Sequence, residues 1–135
     1  MSVDQDTYRR LWRARLLIDS CFARPLNLDA ISSEACLSRY HFIRLFKRVF
    51  KRTPHQYLTE RRIERAKELL ASSPLSVTDV CFEVGFQSLG SFSTLFHKRV
   101  GLPPVTYRTN LSESSRNGAQ SKPVWIPYCF EVMCS

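Results

Sequence analysis

The chain has little of what marks extended, cross-linked or membrane-spanning proteins. Four glycines and seven prolines in 135 residues exclude a collagen-like or low-complexity chain. Uninterrupted apolar runs last only a few residues, far short of the roughly 20 that cross a bilayer, so no membrane partner is expected. The opening Met1-Ser2-Val3-Asp4-Gln5-Asp6 lacks the basic-then-apolar order of a secretory leader, which points to the cytoplasm. Cys21, Cys36, Cys81, Cys129 and Cys134 are odd in number and contain no C-x-x-C pair, which argues against a disulfide scaffold or a zinc site. His41, His55 and His97 share no ligand spacing with them, so neither a metal nor a cofactor is expected. No nucleophile–base pair and no phosphate-cradling loop is visible, and no catalytic residue is assigned.

What is present is an apolar content of 44%, enough for a core, and a formal net charge of +8. The charge is concentrated. Residues 1–38, 68–108 and 109–135 are each neutral overall, whereas residues 39–67 set ten basic side chains against Glu60 and Glu64. A field confined to one short stretch is a candidate footprint for an anionic partner.

Self-comparison reveals a duplicated motif. At an offset of 49, Pro25-Leu26-Asn27-Leu28 aligns with Pro74-Leu75-Ser76-Val77, Ile31 with Val80, Glu34 with Glu83 and Leu37 with Phe86. Further on the offset becomes 50: Phe42 meets Phe92, Leu45 meets Leu95, Phe46 meets Phe96, Pro54 meets Pro104 and Tyr57 meets Tyr107. The shift falls between residues 37 and 42, where a turn is expected. Each copy reads as a short helix capped by Asn27 or Ser76, a tight turn at Cys36-Leu37 or Gly85-Phe86, and a second helix starting near Ser38 or Ser88. That is a helix-turn-helix unit, present twice.

The second helix of the first copy has two faces. Phe42, Leu45, Phe46 and Val49 follow core spacing. Tyr40, Ile43, Arg44 and Lys47 follow the same spacing on another face, flanked by Arg39, Arg48, Lys51 and Arg52. An exposed aromatic, aliphatic and arginine suit a DNA major groove, because arginine donates two hydrogen bonds to guanine and apolar groups meet the thymine methyl. The matching face of the second copy is Gly90, Ser93, Thr94 and His97, with Leu89 and Ser91 beside it and Lys98 and Arg99 just beyond. It carries no Arg or Lys, so the two units look unequal. Between the copies, Pro54 to Ser72 has no internal Gly or Pro, with Thr53 as N-cap and Pro54 at the first helical position. A helix of about 19 residues is roughly 28 Å long, near the ~34 Å that separates successive major grooves.

Residues 11–108 resemble the DNA-binding domain of the AraC/XylS family of bacterial transcription regulators. The resemblance rests on Gly85-Phe86-Gln87-Ser88-Leu89-Gly90-Ser91-Phe92-Ser93-Thr94-Leu95-Phe96 and on the ending Gly101-Leu102-Pro103-Pro104-Val105-Thr106-Tyr107-Arg108. It implies an all-α fold of seven helices: two helix-turn-helix subdomains (6–53 and 73–108) joined by a long linker helix (54–72). It implies base contacts from Tyr40, Ile43 and Arg44 in one recognition helix and from Leu89, Gly90, Ser91, Ser93 and Thr94 in the other. Phosphate contacts are expected from Arg39, Lys47, Arg48, Lys51, Arg52, His97, Lys98 and Arg99. Four positions depart from the family pattern: Lys51 stands where a glycine is usual before Thr-Pro, Cys36 replaces the turn glycine of the first unit, and Ser32 and Cys81 replace a small alanine. About ten residues precede the resembling stretch 11–108, and the first helix is expected to start near Asp6 and bury Leu11, Ala14, Ile18 and Phe22, so the chain resembles the small stand-alone members.

Thr109 to Gln120 reads as a flexible linker, and the apolar Pro123–Met133 as a short non-helical arm, folded back on the domain or serving as a dimerisation or ligand-responsive arm. The resulting expectation is a sequence-specific regulator that inserts two recognition helices into adjacent major grooves. It would bind double-stranded DNA as a monomer rather than an obligate dimer, with RNA polymerase as a further candidate partner. The alternative is a partner-interaction module, for example one that docks on RNA polymerase, with little DNA reading of its own.

Overall fold

The structure, a computed structural model, describes residues 3–116. Among these are seven α-helices and no strand: α1 (Gln5–Cys21), α2 (Leu28–Glu34), α3 (Arg39–Phe50), α4 (Pro54–Ser72), α5 (Val77–Glu83), α6 (Leu89–Val100) and α7 (Pro104–Arg116). They form two compact units that divide between Arg61 and Arg62, within α4. The expected linker helix is therefore shared: its first half belongs to one core and its second half to the other.

In the first unit each helix starts on a side chain that supplies the missing backbone acceptor. Asp4 accepts from Thr7 N, Asn27 from Asp29 N and Ser38 from His41 N. Thr53 and Gln56 cap each other's backbone N–H at 3.1 and 3.0 Å, a reciprocal capping box that starts α4. Leu11, Ala14 and Ile18 of α1, Ile31 of α2 and Phe42, Phe46 and Phe50 of α3 are buried together with Tyr57 of α4. Their rings pack together, with Phe46 tilted against Phe50 at 4.6 Å between centres and edge to face with Tyr57 at 5.9 Å. Phe22, expected in this core, is only half-buried: it lies just past the end of α1, under the Arg61 guanidinium.

One charge sits inside this core. Arg15 is 1% exposed, its guanidinium 4.6 Å from the Trp12 ring, 4.9 Å from Phe50 and 5.0 Å from Tyr57. Its Nε donates to the Tyr57 hydroxyl, which donates to Asp19, and Asp19 pairs with Arg61 at 3.1 Å. Three ring faces and one hydroxyl replace the water this cation has lost. Burial, and then the Asp19 carboxylate, raise the Tyr57 hydroxyl well above its ordinary range, so it stays a donor.

The second unit repeats the plan. Ile63, Ala66 and Leu70 of α4 take the spacing that Leu11, Ala14 and Ile18 have in α1, and they pack with Val80, Cys81, Val84, Phe86, Phe92 and Phe96. Ser76 and Ser88 cap α5 and α6. Tyr107 stacks on Phe96 at 5.5 Å as Tyr57 does on Phe46. Arg108 donates to the carbonyls of Leu70 and Ser73, satisfying acceptors that the end of α4 leaves open.

The duplicated turns differ in their backbone chemistry. Gly85 and Gly101 adopt left-handed φ of 102° and 91°, which glycine does freely. Their counterparts Cys36 and Lys51 adopt φ of 55° and 64° with a side chain attached, which costs roughly 1–2 kcal/mol each.

The stretch expected as a linker from Thr109 onward is helical as far as Arg116. Thr109 and Ser112 hydroxyls donate back to the carbonyls of Val105 and Arg108, four residues earlier, so these polar residues bond to the helix rather than oppose it. The expected arm at Pro123–Met133 lies outside the described residues.

Candidate nucleic-acid interface

Helix α3 is held by its three phenylalanines and turns the remaining residues outward. Tyr40 is 72% exposed, and His41, Arg44, Lys47 and Arg48 are exposed beside it. Ile43, expected among the reading residues, is half-buried at the edge of this face. Arg44 lies one turn from Tyr40 with its guanidinium 5.6 Å from that ring, a cation–π contact that limits its rotamers before any partner arrives. Arg44, Lys47, Arg48, Leu45 and His41 line a depression of about 620 Å³. The sequence reading passed over His41 because it was weighed only as a metal ligand. Its place one turn before Leu45 on the same helix was the available signal.

The structure sorts the basic side chains of residues 39–67 into outward and engaged groups. Arg39, Arg44, Lys47 and Arg48 point outward, with Arg39 held only loosely by Asp29 at 3.9 Å. Lys51 is exposed, but its Nζ donates to the Arg48 carbonyl at 3.2 Å and caps its own helix. Arg52, expected on phosphate, pairs with the poorly exposed Glu60 at 2.9 Å. Arg61 pairs with Asp19, Arg65 with Glu68 and Lys67 with Glu64. Arg62 lies over Phe86 and is partly buried, which lowers its pKa by desolvation. Exposed basic side chains thus gather on the outer face of α3 and at Lys51 just past its end, while Arg52, Arg61 and Lys67 lie against carboxylates.

Helix α6 presents Leu89, Gly90, Ser91 and Thr94 to solvent, with Ser93 half-buried. Gly90, Ser91, Thr94 and Leu95 line a depression of about 410 Å³. His97, Lys98 and Arg99 are exposed in the last turn, where positive charge meets the negative end of the helix. The arrangement in each unit is a short helix, a tight turn and an exposed twelve-residue helix anchored from behind by aromatic rings.

Residues 31–110 match the helix-turn-helix domain family. The chain belongs to that family, in its AraC/XylS branch. It is 32% identical over 98 residues to the HTH-type transcriptional regulator ArgR of Pseudomonas aeruginosa, covering 73% of this chain and 30% of that protein. It is 38% identical over 88 residues to the MmsAB operon regulatory protein of the same organism, covering 65% of this chain and 29% of that one. The chain thus spans less than a third of the length of these two relatives. Among solved structures it resembles the DNA-binding domain of the global transcriptional factor AdpA in complex with a target DNA. That likeness has a TM-score of 0.73 at 25% identity, over 81% of this chain and 96% of that one. The C-terminal domain of AraT, a response regulator from Geobacillus stearothermophilus, matches with a TM-score of 0.71 at 30% identity, over 75% of this chain and 84% of that one.

Proposed function

We propose that this protein is a sequence-specific regulator of transcription that binds double-stranded DNA, setting α3 and α6 each into a stretch of major groove. The observation that carries the reading is the division of α3. Phe42, Phe46 and Phe50 fix it to the core while Tyr40, Arg44, Lys47 and Arg48 stand outward. Membership of a family that includes transcription regulators supports it, as does the likeness to a domain solved on its target DNA. Arg44 reads guanine by two hydrogen bonds, and Tyr40 and Ile43 meet thymine methyls. Arg39, Lys47 and Arg48 neutralise phosphates and fix the register. In α6, Ser91, Ser93 and Thr94 reach bases or phosphates through hydroxyls, Leu89 offers apolar contact, and His97, Lys98 and Arg99 face the backbone.

Two unlike reading helices in one chain suit an asymmetric site occupied by a monomer. The work is non-catalytic and belongs in the cytoplasm, at the nucleoid, with RNA polymerase as the second macromolecule such a regulator addresses. Selection from a pool of random duplexes tests the reading and should enrich one motif. Arg44→Ala should then weaken binding by about 1–3 kcal/mol and relax one position of that motif. A pool that yields no motif would replace this reading with a module that binds a protein partner alone.

A further inference from the structure

The second residue of α6 is Gly90, and nothing inside the protein requires a glycine there. Its φ is not among the positive ones, which belong to Gly85 and Gly101. A methyl group built on it would meet nothing within 4 Å beyond its chain neighbours and the backbone of its own helix. The matching position of α3 carries Tyr40, 72% exposed, so this helix register accepts even a large side chain. Glycine is also a poorer helix former than alanine. Its backbone geometry and its packing therefore leave the bare position unexplained from within.

The space that the missing Cβ opens lies outside, in the depression lined by Gly90, Ser91, Thr94 and Leu95. The polar groups around it are short. A serine or threonine hydroxyl extends only a bond or two beyond the backbone, whereas Arg44 and Tyr40 of α3 reach several ångströms further. Hydroxyls that short can touch a base edge or a phosphate only if the helix backbone itself comes close, and a glycine permits such an approach.

We propose that Gly90 is the point of closest approach between the second unit and the DNA, so that α6 meets the duplex with its backbone and short hydroxyls while α3 meets it with long side chains. The inference rests on the DNA-binding reading and sharpens it. A side chain at position 90 would hold α6 off the groove wall and withdraw Ser91 and Thr94 together.

The test uses the full chain and the motif it selects from random duplexes. Failure to select any motif would remove the DNA-binding reading and this proposal with it. With a motif in hand, Gly90→Ala should raise Tm by ~2–4 °C, as a better helix former in open space. The same variant should bind the motif about tenfold more weakly, the effect of a modest steric clash, and Gly90→Tyr should bind more weakly still. The losses should appear in a footprint as weakened protection of one half of the site. Unchanged affinity for Gly90→Ala at raised Tm would overturn the proposal while leaving DNA binding intact. A lowered Tm would also overturn it, by showing that the glycine answers an internal need.

Discussion

The two units share a plan and divide the work differently. Both bury Leu/Ala/Ile-type triplets and a pair of phenylalanines four residues apart, against which a tyrosine of the following helix packs, Tyr57 fully buried and Tyr107 partly so. The first unit adds Arg15 beneath Trp12, Phe50 and Tyr57, carries the outward basic face, and closes two turns with left-handed non-glycine residues. The second has glycines in those turns and small residues on its outer face. Duplication preserved the side of each motif that faces the core and released the side that faces solvent. The core is where the fold is specified, and the outer face is where a partner is chosen.

The strongest check on the shared plan is to hollow both cores at the matched site. Phe46→Ala and Phe96→Ala should each cost about 3–5 kcal/mol, since both rings are fully buried. Urea denaturation followed by helical circular dichroism measures both. A gap of more than about 2 kcal/mol between them would show that the two cores are not equivalent.

Arg15 sharpens the contrast, because among the described residues of the second unit no charged side chain is buried. Arg15→Ala should cost about 3 kcal/mol, through the cavity and the loss of the contacts with three rings. Arg15→Met fills the space and should recover at least half of that. Equal losses for the two variants, read in the same denaturation, would assign the effect to charge rather than volume.

Much of this was legible in the sequence, and the exceptions share a cause. Repeat offsets located the caps at Asn27 and Ser76 and the helix starts near Ser38 and Ser88 because capping is local: the side chain and the backbone N–H it accepts from lie within three positions. The outward placement of Tyr40, Arg44 and Lys47 was legible for the same reason, since helical periodicity assigns faces. Arg15 was not, because its partners Phe50 and Tyr57 lie 35 and 42 residues away and a charged side chain reads as exposed. The engagement of Arg52 and Arg61 by Glu60 and Asp19 was hidden likewise: a charge count cannot tell a paired arginine from an outward one. The helical course of residues 109–116 was missed because Thr and Ser favour turns in isolation, and their bonds to the preceding turn appear only once the helix exists.

That sorting of charges yields a prediction of moderate size. Lys47→Ala should weaken DNA binding by about 1 kcal/mol at moderate salt and lower the slope of log K against log salt by about 0.9, as one fewer counterion is released. Arg52→Ala should leave the slope nearly unchanged and instead lower stability, because its partner Glu60 is only slightly exposed. Fluorescence anisotropy across a salt series distinguishes the two. A full unit of slope lost on Arg52→Ala would return that residue to the interface.

The smallest expected effect concerns the turns, where the units place different residues in the same left-handed region. Lys51 and Gly101 both cap their helices with left-handed backbone, and each N–H donates to the carbonyl four residues back. Lys51→Gly relieves a φ of 64° that a Cβ makes costly. It also frees the unfolded chain and removes the Nζ bond to the Arg48 carbonyl. The first term exceeds the other two only narrowly, so the net gain should be about 0.5–1 kcal/mol. The reverse change, Gly101→Lys, imports the strain at a φ of 91° and should cost at least as much as Lys51→Gly gains. Thermal melts of the two single variants and the double measure the exchange. Because the sites lie on different units, the double variant should equal the sum of the singles within about 0.5 kcal/mol. A loss of stability on Lys51→Gly would mean that the lysine's own cap outweighs the strain, and that the first unit gains from its side chain what the second gains from glycine.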